Sequence, residues 1–243
     1  MRIIASPKQF LTFKKRVLPF CIVSHILFLS LGLWFAFFGS PPDYQMGDAV
    51  RMMYIHVPAS WFAMGVYAFM ALNAMIGWIT KHPLADIVVK AAAPIGALFT
   101  FISLTTGALW GKPMWGTWWV WDARLTSVLI LFLLYLGYLA LVDSFENQAQ
   151  GLKAGSILVI VGAFNLPIIK WSVNWWNTLH QPASLTKLSS PSIHSEMLIP
   201  LFLMAGAYAS YFIVMLLLKI ETEYLKRREQ NLYAFKVQAL KSN

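Results

Sequence analysis

Six continuous apolar stretches, at approximately 17–38, 54–79, 91–110, 125–142, 154–169 and 197–218, run through the 243-residue sequence and leave it few ways to fold. A helix rising about 1.5 Å per residue needs about 20 apolar residues to cross about 30 Å of hydrocarbon. Five of the stretches approach or exceed that length, and the shorter fifth is expected to recruit Gly151 and Leu152 at one end and Trp171 at the other. The runs are continuous rather than alternating, which excludes the strands of a membrane barrel. Composition agrees: 58% of residues are hydrophobic and 12% charged, against about 25% charged in a soluble domain. The expected fold is therefore an all-alpha polytopic membrane protein. Six transmembrane helices form a single transmembrane domain spanning residues 1–243.

The basic residues orient these spans. Arg2, Lys8, Lys14, Lys15, Arg16, Lys81, Lys90, Lys153, Lys219, Lys226, Arg227, Arg228, Lys236 and Lys241 fall on one side, leaving Arg51, Lys112, Arg124, Lys170 and Lys187 on the other. Lysine and arginine accumulate on the cytoplasmic side of membrane proteins, so both termini are expected in the cytoplasm. Connections 39–53, 111–124 and 170–196 then face outward. The net charge of +9 sits at the chain ends and in short connections, which suits topology and anionic lipid rather than nucleic acid. Lys14, Lys15 and Arg16 before an apolar run superficially resemble a signal peptide. The run is longer than a signal core and Gly39-Ser40-Pro41-Pro42 makes a poor cleavage site, so a retained first span is expected. The lone Cys21 allows neither an internal disulfide nor a CxxCH haem-attachment motif. Ala91-Ala92-Ala93 and Gly96-Ala97 suggest close helix packing, and Pro58, Pro94, Pro167 and Pro200 are candidate kinks.

Unusual chemistry gathers in the outward connections. Residues 110–124 read WGKPMWGTWWVWDAR, with Trp110, Trp115, Trp118, Trp119 and Trp121 in 12 residues. An interfacial aromatic belt accounts for one or two tryptophans at a helix end. Five in one connection, with glycine and proline between them, fit a flat apolar platform for a large planar conjugated ligand. Asp122 and Arg124 are then structural or orienting. Arg124, or Lys112, is a candidate for the anionic edge of such a ligand, with an Arg124–Asp122 salt bridge as the plainer alternative.

Of five histidines, His82 reads as solvated, His25 as an interhelical hydrogen-bonding residue and His194 as a loop or cap residue. His56, in RMMYIHVPASW, and His180, in VNWWNTLHQPA, lie on the same side as the tryptophan connection. Imidazole is a common axial ligand of haem iron. Two such ligands leave no open coordination position, an arrangement for holding or passing on a cofactor. Zinc would want three or four ligands, and no CxxC, HExxH or carboxylate cluster supplies them.

The string WGKPMWGTWWVWDARLTS resembles the WWD signature of the haem-handling membrane proteins of cytochrome c biogenesis. PPDYQMGDAVRMMYIHVPASW, APIGALFTFISLTTGALWGKPMW and NLPIIKWSVNWWNTLHQ, with the six-span length, resemble the CcmC family over residues 40 to 218. The resemblance implies non-covalent binding of haem b at the external WWD loop between helices 3 and 4, with His56 and His180 as axial iron ligands. Trp115, Trp118, Trp119, Trp121 and Asp122 are the matching loop residues, and Arg124 remains the propionate candidate. It implies delivery to the haem chaperone CcmE, with CcmA and CcmB as ABC-type partners and CcmD as a small membrane partner. The sequence has no Walker A motif, so an ATPase would be a separate subunit. Gln181-Pro182 departs from the family, where glycine is common after the glutamine. The alternatives are a transmembrane haem transporter, which requires polar groups at mid-bilayer depth, and a b-type electron-transfer subunit.

Overall fold

The computed structural model describes residues 7–82, 84–180 and 193–241. Among them are six helical runs long and apolar enough to cross a membrane. They are built from α1 (Pro7–Trp34), α2 (Met53–Thr80), α3 (Ala85–Trp115), α4 (Ala123–Asp143), α5 (Gln148–Gly162) with α6 (Asn165–Trp175), and α7 (Ser195–Lys241). Arg2, Lys187 and the Gln181-Pro182 departure lie outside the described residues.

Helix α3 occupies the centre. Of its most apolar window 61% is buried, against 11% for α1, which packs chiefly along α7. Burial follows residue size. Ala91, Ala92, Ala93, Gly96 and Ala97 of α3 are buried as the small-residue pattern predicts, and they let large side chains from neighbouring helices approach. Tyr135 of α4 lies against Gly96, donates its hydroxyl proton to the Ala63 carbonyl of α2 at 2.8 Å, and meets Tyr67 edge-on at 5.1 Å. Within the core, Thr100 and Ser156 donate to the carbonyls four residues earlier, at 2.7 and 2.9 Å. These bonds keep the hydroxyls satisfied where lipid offers no partner.

Two span ends differ from the sequence reading. The third helix was expected to stop at 110 and residues 111–124 to form a loop; α3 instead continues to Trp115. Pro113 removes only its own bond to Leu109. The helix ends at Gly116, which takes φ +76° and donates its N–H to the Lys112 carbonyl at 3.0 Å, a left-handed cap that glycine adopts without strain. The fifth run is broken into α5 and α6 at Ala163-Phe164. Pro167 lacks the N–H that would bond the Ala163 carbonyl. The Asn165 amide ties the new helix to α4 by donating to the Ser127 carbonyl at 2.8 Å. The other connections are also shorter than expected: a one-turn 3₁₀ helix, Asp48–Met52, leads directly into α2, and α6 runs to Trp175.

His25 takes the interhelical role read from the sequence. Its Nδ1 lies 3.0 Å from the Ala207 carbonyl of α7 and 3.5 Å from the Ser210 hydroxyl. Interhelical hydrogen bonds in membranes average about 0.6 kcal/mol. His25→Ala is therefore expected to lower stability by about that amount, read as a small fall in thermal midpoint in detergent.

Candidate functional site

One end of the helix bundle holds a cavity of about 950 Å³, at the upper limit of the roughly 300–1,000 Å³ typical of small-molecule sites. His56 and His180 both line it, together with Trp110, Trp115, Trp119 and Arg124. Residues that are 124 positions apart in sequence thus share one chamber.

His56 occupies the first turns of α2. Its Nδ1 lies 3.0 Å from the Ser103 carbonyl and 3.1 Å from Thr106 Oγ1, both on α3. The Thr106 hydroxyl already donates to the Ile102 carbonyl at 2.6 Å, so it too presents a lone pair to the imidazole. Nδ1 is therefore the protonated nitrogen, and Nε2 keeps a free lone pair. Gly107 makes room for the ring: a Cβ there would stand 3.0 Å from His56 Cε1. Trp110 closes the same wall with its ring edge-on to the imidazole at 5.8 Å. Ser103, Thr106, Gly107 and Trp110 follow the i, i+3, i+4, i+7 spacing of one helix face. That spacing is the sequence signal by which this wall of the cavity is legible.

His180 follows α6. Its Nδ1 lies 3.0 Å from Asp122 Oδ2, while its ring packs edge-on against Trp115 at 4.8 Å. Asp122 has three tasks. It caps α4 by accepting the Leu125 N–H at 2.7 Å, it accepts the Thr178 hydroxyl, and it holds His180. Thr178 Oγ1 also accepts the His180 N–H at 3.1 Å, so the turn is closed on itself. Burial alone would raise the Asp122 carboxyl, but the hydrogen bonds from Thr178, Leu125 and His180 outweigh it and hold the group below its ordinary value. Burial also lowers His180, against the opposing pull of Asp122, so the ring is neutral at pH 7 with Nε2 unprotonated. The Arg124–Asp122 salt bridge offered by the sequence is replaced by this Asp122–His180 pair.

The tryptophans separate into two groups. Trp110, Trp115 and Trp119 line the cavity, whereas Trp118 and Trp121 are 53% and 76% exposed, with Trp121 edge-on to Trp119. Lys112 is engaged by its own loop, donating to the Gly116 carbonyl at 3.1 Å and lying over Trp118, and is not part of the cavity wall. Three buried nitrogens on the wall have no hydrogen-bond partner among the described residues: Arg124 Nε, Trp110 Nε1 and Trp119 Nε1. Each unpaired buried donor carries a desolvation cost of about 1–3 kcal/mol. His194 caps α7, its carbonyl accepting the Met197 N–H at 3.0 Å, and it also reaches the cavity.

The helices and this chamber define a multi-pass membrane protein with a large cavity at one end of its bundle. Residues 1–234 match the family described as "Heme exporter protein C", and the chain belongs to that family. Similar proteins of that name include one from Bradyrhizobium diazoefficiens, 48% identical over 229 residues, covering 94% of this chain and 87% of the relative. The Haemophilus influenzae protein is 50% identical over 201 residues, covering 83% and 82%. The Escherichia coli K12 protein is 48% identical over 181 residues, covering 74% of each.

Proposed function

We propose that this chain binds haem b non-covalently in the chamber and hands it to a partner during cytochrome c maturation. The observation that carries the reading is the meeting of His56 and His180 in one cavity, each with Nδ1 engaged and Nε2 left with a lone pair. The chamber fits the ligand. Two neutral imidazoles suit the axial positions of haem iron, aromatic walls suit its ring, and the cationic Arg124 in the wall suits a propionate carboxylate. Haem is cargo here, and the chain supplies grip, shielding and orientation. His56 and His180 would hold the iron. Trp115 and Trp119 would exclude water, and the exposed Trp118 and Trp121 form the apolar rim toward a receiving protein.

The family resemblance makes that receiver the CcmE chaperone, with CcmA and CcmB as ABC-type partners and CcmD as a small membrane partner. The chamber then faces the periplasm and both termini face the cytoplasm. In a Cys21→Ser background, a membrane-impermeant thiol reagent applied to intact spheroplasts is expected to label Lys112→Cys and to spare Glu146→Cys. The reverse pattern would invert the orientation.

Arg124→Gln tests the ligand-facing role of the guanidinium. It is expected to weaken haem binding about tenfold, the scale of one charge-assisted hydrogen bond. The absorption bands that report axial ligation should be retained. Unchanged affinity would assign the propionates elsewhere. A transport path through the bundle is the weaker reading, because the mid-span polar groups His25 and Asn73 are spent on the carbonyls of Ala207 and Phe69.

A further inference from the structure

The two histidines are not equivalent. His56 Nδ1 faces neutral acceptors, a backbone carbonyl and a hydroxyl, whereas His180 Nδ1 faces a carboxylate. A carboxylate accepting the distal N–H draws that proton toward itself and raises the donor strength of the opposite nitrogen toward a metal. A neutral acceptor does so much less. Resting on the haem-binding reading above, we infer that Asp122 is a positioning residue that makes His180 the stronger and His56 the weaker of two unequal iron ligands, so that His56 yields first when haem leaves.

The surroundings favour a designed pairing over a chance contact. The Asp122 side chain is 7% exposed and the His180 side chain 18%. One carboxylate oxygen is used by the α4 cap and the other by His180 and Thr178. The cap fixes the carboxylate on a helix that also forms the core, so the bond to His180 is held by the scaffold rather than by the loop alone. Asp122 closes the WWD string, and its role in the structure is directed at His180 from another part of the chain rather than at the tryptophans beside it. Beside His56, the Ser103 carbonyl belongs to a continuous helix and offers no charge.

The test uses the full chain in detergent, loaded with haem. Asp122→Ser keeps a good helix cap but is too short to reach His180. The Thr178 hydroxyl, 3.3 Å from His180 Nδ1, is then left as a neutral acceptor. Asparagine is less suitable, since with its oxygen on the cap its amide would point N–H groups at the imidazole and favour the wrong tautomer. In Asp122→Ser, ferric haem affinity is expected to fall about 10–100-fold, and ferrous affinity at least tenfold less. That difference is a positive shift in midpoint potential of about 59 mV or more for one electron. Thr178→Val removes a donor from the carboxylate and leaves it a stronger acceptor for His180, so the potential should move in the negative direction.

Carbon monoxide added to the reduced wild-type protein should replace His56. The resulting spectrum should match that of the His56→Ala adduct and differ from that of His180→Ala. Equal loss of ferric and ferrous haem in Asp122→Ser, with an unmoved potential, would reduce Asp122 to a structural cap and overturn the inference. A negative shift in Asp122→Ser, or a wild-type adduct matching His180→Ala, would overturn it as well. If both histidine variants leave the haem spectrum unchanged, the site assignment itself fails, and that outcome is distinct from equality of the two ligands.

Discussion

Haem recovered with the purified protein is expected to fall at least tenfold in either His56→Ala or His180→Ala, and to be lost in the double variant. Each imidazole already has its Nδ1 tied, to Ser103 and Thr106 in one case and to Asp122 in the other, so neither ring needs to reorganise to offer Nε2. Such preorganisation lowers the entropic cost of binding, and its loss falls wholly on affinity. The alanines should cost little stability by comparison. His56 leaves Ser103 and Thr106 still bonded within α3, and His180 lies after the end of α6, where the Asp122–Thr178 bond persists. Haem quantified per mole of protein, beside the thermal midpoint of each variant, separates loss of a ligand from loss of fold. A parallel fall in both would contradict the site.

Gly96→Ala is expected to produce a large loss of stability. A Cβ at this position would overlap the Tyr135 ring, which is fully buried. Retreat is blocked on both sides, because the Tyr135 hydroxyl is bonded to the Ala63 carbonyl and its ring is packed edge-on to Tyr67. Overpacking of this kind costs about 1–3 kcal/mol. Breaking the buried hydrogen bond adds about 1–3 kcal/mol by leaving polar atoms unsatisfied. Gly65→Ala supplies the control. A Cβ at Gly65 meets nothing within 4 Å, and alanine is the better helix former by about 1 kcal/mol. Thermal unfolding in detergent should show a large drop for the first and none for the second. A neutral Gly96→Ala would mean that the α3–α4 contact is looser than the structure has it.

The six helical runs were legible because hydrocarbon demands length and continuity, and both are visible in a single sequence. The small residues of α3 were legible for a similar reason: only close packing gives a run such as Ala91-Ala92-Ala93 followed by Gly96-Ala97 a use. Helix ends were less legible. Nothing in the hydropathy of residues 111–115 says that α3 continues through Pro113. The stop is set by the left-handed conformation at Gly116, which competes with Pro113 as a terminator and wins.

At the candidate site, the residue types were legible in the sequence but their partners were not. His56, His180, Trp115 and Trp119 share the cavity, while Trp118 and Trp121 turn away from it, a division that depends on the path of the chain after Gly116. Asp122 and Arg124 stand two residues apart with opposite charges, so a local salt bridge was one of two readings open for the pair. Capping geometry instead aims the carboxylate at a histidine 58 residues downstream. Thr178 was invisible for the same reason, since its value lies in a contact made only once α4 and α6 have packed.

The most direct test of the central claim is the spin state of haem bound to the oxidised, full-length wild-type protein, read by electron paramagnetic resonance and absorption. Axial ligation by His56 and His180 predicts a low-spin, six-coordinate ferric centre that each single alanine variant converts to high spin or loses. A high-spin centre in the wild-type protein, or a low-spin centre unchanged in both variants, would contradict it.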